Sequence, residues 1–348
     1  MNAPPRRKPR AAPPPRLLLP QHWPTWLAAG LLWLLAKLPY PTMLKVGGAL
    51  GALAYRLPLP QRRVARRNLA LCLPELPEAQ RERILRAHFR SVGITLCETA
   101  LIWYGPTAKV LSLVHFDGLE HVDRLRAQGR GVILLAAHFT TLEISAGMFT
   151  LTRDAYAVYK PSKNALVTWL FETRRGAVSE GMISRDDIRA MIRVLKAGGI
   201  VWYSPDQAFR GKGAEMVPFF GLPVATNTAT SRLAKLTGAA VLPYFSERLP
   251  GDAGYRVSIG APFDDFPSAD AVADTLRFHR LIETQVRRVP EQYLWLHKRF
   301  KGLSADYPDF YDGRPVGREA ALAATAGADG PSARPADRAT ADDARHST

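Results

Sequence analysis

The sequence predicts one α/β domain with a largely parallel sheet flanked by helices. Between residues 131 and 297, short apolar runs alternate with amphipathic stretches, a pattern typical of strand–helix–strand units. Residues 131–137 (GVILLAA) are apolar throughout, as expected for a strand covered on both faces. A chain of 348 residues is long enough to bury a substantial core.

The elements follow from hydrophobic periodicity and from turn residues. Strands are expected at residues 131–137, 156–159, 199–204, 240–246, 255–259 and 293–297. Helices are expected at residues 77–103, 186–197, 228–237 and 271–288.

Composition divides the chain into four segments. Residues 1–16 are proline-rich and basic, and residues 312–348 are rich in Ala, Asp and Arg, so both ends are expected to be disordered. Residues 17–57 are predominantly apolar, and residues 58–311 form the main domain.

The segment at residues 17–57 predicts a membrane anchor. Its uncharged apolar block, residues 23–36, contains Trp23, Trp26 and Trp33, and tryptophan is typical of the membrane–water interface. As a helix this block rises about 21 Å, short of the roughly 30 Å hydrocarbon core. The segment therefore forms either a tilted span that starts near Leu17 or helices lying in the interface. Two buried core helices are the alternative.

The positive net charge indicates acidic partners, and the two cysteines give no sign of a disulfide scaffold or a zinc site. The head contributes +5 and the tail −1 to the net charge of +16, which leaves +12 on residues 17–311. Such a field attracts nucleic acid, anionic lipid headgroups or an acidic carrier protein. The two cysteines, Cys72 and Cys97, lack metal-ligand spacing, which argues against a disulfide scaffold or a cysteine zinc site.

The segment GVILLAAHFTTLE (131–143) offers a candidate base. The strand delivers His138, and Thr140 and Thr141 are good residues to start a helix. Glu143 then falls in the first helical turn, where the chain reversal can bring it to His138. A histidine with an orienting carboxylate suits deprotonation of a hydroxyl for attack on an acyl group. The alternative is a capping box, Thr140-x-x-Glu143, with no catalytic role.

The sequence lacks the signature motifs of several other catalytic chemistries. The sequence contains no Gly-x-Ser-x-Gly, no Walker loop, no GxGxxG and no His-x-x-x-His pair. These absences disfavour a serine nucleophile, a nucleotide cofactor and a helical zinc site. What remains is direct transfer to an acceptor hydroxyl activated by a base.

A series of motifs matches one known family in order and at plausible spacing. They are HFTTLE (138–143), YKP (159–161), Arg174/Arg175, SRDD (184–187), YSPDQ (203–207), VPFFG (217–221), TNTATSRLA (226–234), TGAAVLP (237–243) and PEQYLWLHKR (290–299). Over about residues 23–305 the chain resembles the lipid A biosynthesis lauroyl/myristoyl acyltransferases, the lauroyl type most of all. It resembles the His-x4-Asp glycerolipid acyltransferases more distantly.

The resemblance implies a glycerolipid-acyltransferase-like fold and an acyl carrier protein thioester as donor, with no cofactor or metal. The acceptor would be the 3-hydroxyl of a hydroxyacyl chain on a lipid A precursor, often in its Kdo-bearing form. The partners would be acyl carrier protein, the lipid A precursor and anionic lipids, with no nucleic acid. The enzyme would act on the cytoplasmic face of the bacterial inner membrane.

The resemblance also implies roles for particular residues. His138 would take the hydroxyl proton, and Glu143 would orient and stabilise the imidazolium. Nearby cations would stabilise the oxyanion or bind lipid phosphate. The substrate-binding candidates are Lys160, where the family has arginine, and Arg174, Arg175, Arg185, Asp206 and Gln207.

Two other functions remain open from the sequence. The first is acyl transfer to another membrane lipid, such as a lyso-phospholipid or an aminolipid. The second is a non-enzymatic membrane-associated protein that binds lipid or nucleic acid, in which His138 and Glu143 are structural.

Overall fold

The computed structural model describes residues 12–312, 319 and 321–323. Its strands are β1 (Val114–Asp117), β2 (Val132–Ala136), β3 (Tyr156–Tyr159), β4 (Gly181–Ser184), β5 (Ile200–Tyr203), β6 (Ala214–Phe219), β7 (Leu222–Asn227), β8 (Ala240–Arg248) and β9 (Tyr255–Ile259). Its helices are α1 (Trp23–Leu35), α2 (Tyr40–Arg56), α3 (Pro60–Cys72), α4 (Glu78–Tyr104), α5 (Thr107–Leu111), α6 (Leu119–Ala127), α7 (Leu142–Thr150), α8 (Ala165–Gly176), α9 (Ile188–Lys196), α10 (Ala229–Thr237) and α11 (Ala271–Arg288).

Seven strands form one mixed, mostly parallel sheet, which confirms the predicted fold class. The strand order is β1-β9-β8-β2-β5-β3-β4, and the five strands from β8 to β4 are mutually parallel. β9 runs antiparallel to β8 and pairs in parallel with β1. The carboxyl ends of β2, β5, β3 and β4 therefore meet at one edge of the sheet.

Helices cover both faces of this sheet because successive side chains of a strand point to opposite faces. Ile133 and Leu135 of β2 share a core cluster with residues of α9 and α10. Val132 and Leu134 share another cluster with residues of α6 and α7. The chain thus leaves β2 into α7 on one face, whereas the segment after β5 leads to α10 on the other. The crevice between β2 and β5 is a topological switch point, where open α/β sheets place their binding sites.

Most of the predicted elements are confirmed, but the prediction of a last strand at residues 293–297 is wrong. Residues 293–297 form only a single bridge, between Tyr293 and Phe139. A short 3-10 helix, Pro290–Gln292, precedes them, and Trp295 is buried in the core. The apolar run therefore reflects burial across the end of the sheet. The two-stranded antiparallel sheet of β6 and β7 was not predicted, because strand-breaking Pro218 and Pro223 interrupt its pattern.

At the N-terminus the structure does not support the tilted-span alternative. No helix within the described residues is both long and apolar enough to cross a membrane. Short 3-10 helices at Pro15–Leu18 and Pro20–His22 precede α1, because prolines interrupt the apolar run. The predicted transmembrane helix is therefore unsupported. Of the two predicted disordered ends, residues 1–11 and most of 312–348 lie outside the described residues.

The two N-terminal helices, α1 and α2, pack against the rest of the protein in different ways. α2 crosses α4 so closely that a side chain at Gly51 would meet the backbone of Phe89 and Arg90 within 3 Å. α1 packs its inner side through Trp26 against Trp169 of α8. Its outer side leaves large apolar side chains exposed, namely Trp23, Leu27, Leu31, Trp33 and Leu34.

Candidate active site

The end of β2 and the end of β5 bring a histidine and an aspartate together. His138 Nδ1 lies 2.5 Å from Asp206 Oδ1, and the His138 backbone N–H donates to Asp206 Oδ2 at 2.9 Å. The Asp206 side chain is 2 % exposed, whereas that of His138 is 26 % exposed. With Nδ1 engaged by the carboxylate, Nε2 is the ring nitrogen available to a substrate.

The pair favours charge separation between its members. Burial lowers the pKa of His138, but the Asp206 carboxylate raises it by more, so the pKa lies above its usual value. Burial raises the pKa of Asp206, but the charge and hydrogen bonds of His138 and the charge of Arg299 bring it below its usual value. A carboxylate that fixes the imidazole and stabilises the imidazolium is the arrangement expected of a general base.

Three other histidines, two of them buried and His297 half-buried, have the opposite electrostatics. Burial lowers the pKa of His88 and of His297 to about 4. Burial and the charge of Arg299 lower the pKa of His279 to about 3. These rings are neutral at pH 7, so His138 stands apart from them as the histidine poised to hold a proton.

The turn that carries His138 is held from outside by the segment after α11. Leu294 N–H donates to the His138 carbonyl at 2.9 Å, and Thr140 N–H donates to the Gln292 carbonyl at 2.7 Å. Ser91 of α4 shares a hydrogen bond of 2.7 Å with Thr140. His138 is therefore positioned by α4, by the end of β2 and by residues 290–294 together.

Glu143 has other partners than those predicted. One of its oxygens accepts from Trp103 Nε1 at 2.9 Å and from Arg175 Nε at 3.0 Å, and the other forms an ion pair with Arg175 Nη2. The prediction that Glu143 orients His138 thus differs from the structure, in which Asp206 occupies that place. The capping box is absent as well, since the N-cap of α7 is Thr141 and makes no side-chain cap bond.

A cavity of about 670 Å³ opens above the pair at the carboxyl edge of the sheet. Apolar side chains line its α4, α7 and α8 side, including Ile102, Leu142, Ala146, Phe171 and Val178. Five cationic side chains also line it: Arg175 on the α8 side, and Lys160, Arg185, Lys212 and Arg232 elsewhere. A volume of this size suits an organic ligand with one apolar and one anionic part.

The structure brings most of the predicted site residues to this cavity. His138, Glu143, Lys160, Arg175, Arg185 and Gln207 line it. Asp206 lies beneath His138 in a small adjoining cavity, as its partner instead of a substrate ligand. Arg174 is not among the described lining residues, and its guanidinium stacks on the Tyr104 ring at 4.4 Å.

Sequence reasoning missed three contributors to the site. Lys212 and Arg232 line the cavity, and Trp103 holds Glu143 from α4. The signal for Asp206 as the imidazole partner was present, since Asp206 follows a fully buried strand, β5. Among the described residues, no group of three or more His, Cys, Asp or Glu side chains is placed to hold a metal ion.

Comparison with known proteins adds the identity of the site. An imidazole held by a buried carboxylate beside a cavity with apolar and cationic lining could activate a hydroxyl of a bound substrate. Residues 12–302 match the family model described as bacterial lipid A biosynthesis acyltransferase. The chain belongs to the bacterial lipid A biosynthesis acyltransferase family, and it is an acyltransferase.

Individual relatives agree with this assignment. The chain is 36 % identical to the lipid A biosynthesis lauroyltransferase of Escherichia coli K12, over 85 % of this chain and 97 % of the relative. It is also 36 % identical to the palmitoleoyltransferase of the same strain, over 82 % and 93 %. Its identity to the myristoyltransferase of that strain is 29 %, over 81 % and 88 %.

Proposed function

We propose that the protein transfers a fatty acyl chain from an acyl carrier protein thioester to a lipid A precursor. The acceptor is the 3-hydroxyl of a hydroxyacyl chain on a Kdo-bearing disaccharide. The observation that carries the proposal is the His138–Asp206 pair at the floor of a cavity with an apolar side and a cationic side. Family membership supplies the acceptor class.

In the proposed mechanism His138 Nε2 accepts the proton of the acceptor hydroxyl as its oxygen attacks the thioester carbonyl. Asp206 keeps the imidazole in the tautomer with Nδ1–H and stabilises the imidazolium that forms. The tetrahedral intermediate then collapses, the carbon–sulfur bond breaks, and the departing thiolate takes the proton back from the imidazolium. The products are an ester and a free carrier thiol, so no covalent enzyme intermediate is needed.

Arg175 is the cation we assign to the developing oxyanion. Glu143 holds its guanidinium through both carboxylate oxygens, and its charge sits over the Phe171 ring at 4.3 Å. A guanidinium fixed in this way is preorganised, which is what electrostatic stabilisation of a transition state requires. In this assignment Glu143 serves catalysis through Arg175.

The cationic lining is suited to the phosphorylated sugar. Lys160 and Arg185 follow the ends of β3 and β4 directly, and both line the cavity beside Gln207. Arginine binds phosphate through a planar fork, whereas lysine offers a point charge. We assign these side chains to the acceptor headgroup.

We also propose that α1 lies in the membrane interface of the inner membrane, on its cytoplasmic face. Trp23 and Leu27 are 62 % and 68 % exposed, and the helix contains no charged residue. An exposed apolar helix of this kind binds at the boundary between headgroups and acyl chains. Because α1 packs on α8, this surface lies beside the apolar wall of the cavity.

The test is mass spectrometry of lipid A from a deletion strain complemented with wild type, His138→Ala or the exposed-site control His115→Ala. We expect wild type and His115→Ala to restore one secondary acyl chain and His138→Ala not to restore it. The mass difference identifies the chain. Unchanged lipid A in the deletion strain would contradict the acceptor, and full restoration by His138→Ala would contradict the base.

A further inference from the structure

α9 and α10 close one side of the cavity, and all their charged side chains are cationic. α9 carries Arg189, Arg193 and Lys196 and no acidic residue, and α10 carries Arg232 and Lys235 and no acidic residue. In the part of the chain that the structure describes, no carboxylate lies within 4 Å of Arg189, Arg193 or Arg232 to form an ion pair. These positive charges are therefore available to a partner.

Two apolar side chains stand exposed among these cations. Ile188 is 42 % exposed and Leu236 is 53 % exposed, whereas Met191, Leu195 and Leu233 of the same helices are buried. Ile188, Arg232 and Leu236 all line the cavity that holds His138. A macromolecule bound to this surface would therefore stand at the mouth of the active-site cavity.

We infer that this surface (Ile188, Arg189, Arg193, Arg232, Lys235 and Leu236) docks an acidic carrier protein that presents its thioester-linked acyl chain to His138. The inference rests on the proposed function and adds where the donor binds. An acidic helical protein would meet the cations with its carboxylates, and exposed Ile188 and Leu236 would give the contact an apolar centre. An apolar centre surrounded by a charged rim is the usual composition of a transient protein–protein interface.

The position of the surface favours a protein over the membrane. α9 and α10 pack on one face of the sheet and α7 on the other, and α1 with its exposed apolar side packs on α8. The uncharged α1 surface and the cationic surface thus flank the cavity from different sides. One planar membrane that receives α1 leaves the α9–α10 side to a soluble partner, so lipid acceptor and acyl donor approach from different directions.

The test compares two double charge reversals of equal size. Arg189→Glu with Arg193→Glu alters the α9 surface without touching a cavity-lining residue. Arg124→Glu with Arg126→Glu is the matched control on α6, which packs on the opposite face of the sheet from α9 and α10. Steady-state rates are measured with acyl carrier protein thioester as the donor and, separately, with an acyl-pantetheine donor that lacks the carrier protein. Thermal unfolding checks that both variants fold.

We expect KM for the carrier-protein donor to rise about tenfold or more in the α9 variant. We expect kcat at saturation and KM for acyl-pantetheine to stay within about twofold of wild type, and added salt to raise the wild-type KM but not that of the α9 variant. An unchanged KM in the α9 variant, or an equal rise in the α6 control, would overturn the inference. Loss of binding to anionic vesicles with KM unchanged would assign the surface to the membrane. A wild type that cannot use the carrier thioester would instead refute the proposed donor itself.

Discussion

Two carboxylates serve the same cavity with different partners. Asp206, after β5, is buried, and its Oδ1 lies 2.5 Å from His138 Nδ1. Glu143, in the first turn of α7, is 11 % exposed and holds Arg175 and Trp103. One carboxylate therefore holds the His138 imidazole and the other holds the Arg175 guanidinium.

The difference shows that nearness in sequence is a poor guide to partners in this kind of site. Glu143 is five residues from His138, yet the turn at Thr140 and Thr141 sends its side chain to α8. Asp206 is 68 residues away, yet β2 and β5 are hydrogen-bonded neighbours. Parallel strands bring their carboxyl ends together, so residues just beyond them meet.

The largest expected effect comes from Asp206→Asn. The amide keeps the shape of the side chain but removes the charge that stabilises the imidazolium, so kcat should fall by about 10³- to 10⁴-fold. The rate is measured at saturating donor and acceptor, with the exposed loop variant Asp252→Asn as control. A loss below about tenfold would move the orienting role away from Asp206.

A smaller loss, about 10²- to 10³-fold in kcat, is expected for Glu143→Gln. The change leaves the His138–Asp206 pair intact but frees Arg175, and a displaced oxyanion ligand has a cost of this order. Glu120→Gln, an exposed change on α6, should be neutral in the same assay. If Glu143→Gln were as damaging as Asp206→Asn and moved the pH profile in the same way, the two carboxylates would share one role.

The pH profile separates the two carboxylates most sharply. A base must be neutral to accept a proton, so kcat/KM should rise with pH through the raised pKa of His138, above 6.5. Without the Asp206 charge, burial alone acts on the imidazole and lowers its pKa, so the acidic limb of Asp206→Asn should lie at lower pH than that of wild type. Glu143→Gln should keep the wild-type limb, and a shifted limb would contradict the separation of roles.

The smallest effect is expected for Trp103→Phe. Phenylalanine keeps the ring against Phe171 but removes the N–H that donates to Glu143. A hydrogen bond to a charged group contributes about 1.5 kcal/mol at the lower end, so a loss of about tenfold in kcat is expected. A loss equal to that of Glu143→Gln would mean that Trp103, and not the carboxylate, positions Arg175.

Much of the fold could be predicted because its signals are local. The apolar run at residues 131–137 marked β2, and the amphipathic pattern at residues 271–288 marked α11 with the observed bounds. The strand at residues 293–297 was predicted wrongly, because its apolar run was interpreted without the core that buries it. Of the two forms of the N-terminal anchor that the sequence left open, the tilted span is unsupported, because no helix of the described residues is long and apolar enough to cross a membrane.

The sequence by itself determined the positions of three chemistry-bearing residues: His138, Lys160 and Asp206 each follow a predicted strand, whereas β4, which precedes Arg185, was not predicted. Only the tertiary structure decided which of them become partners. Periodicity reports whether a strand is buried, but strand order depends on long-range pairing that no local pattern encodes. The placement of β5 beside β2 gave the buried carboxylate to His138, and the packing of α8 against α4 and α7 left Glu143 to Arg175.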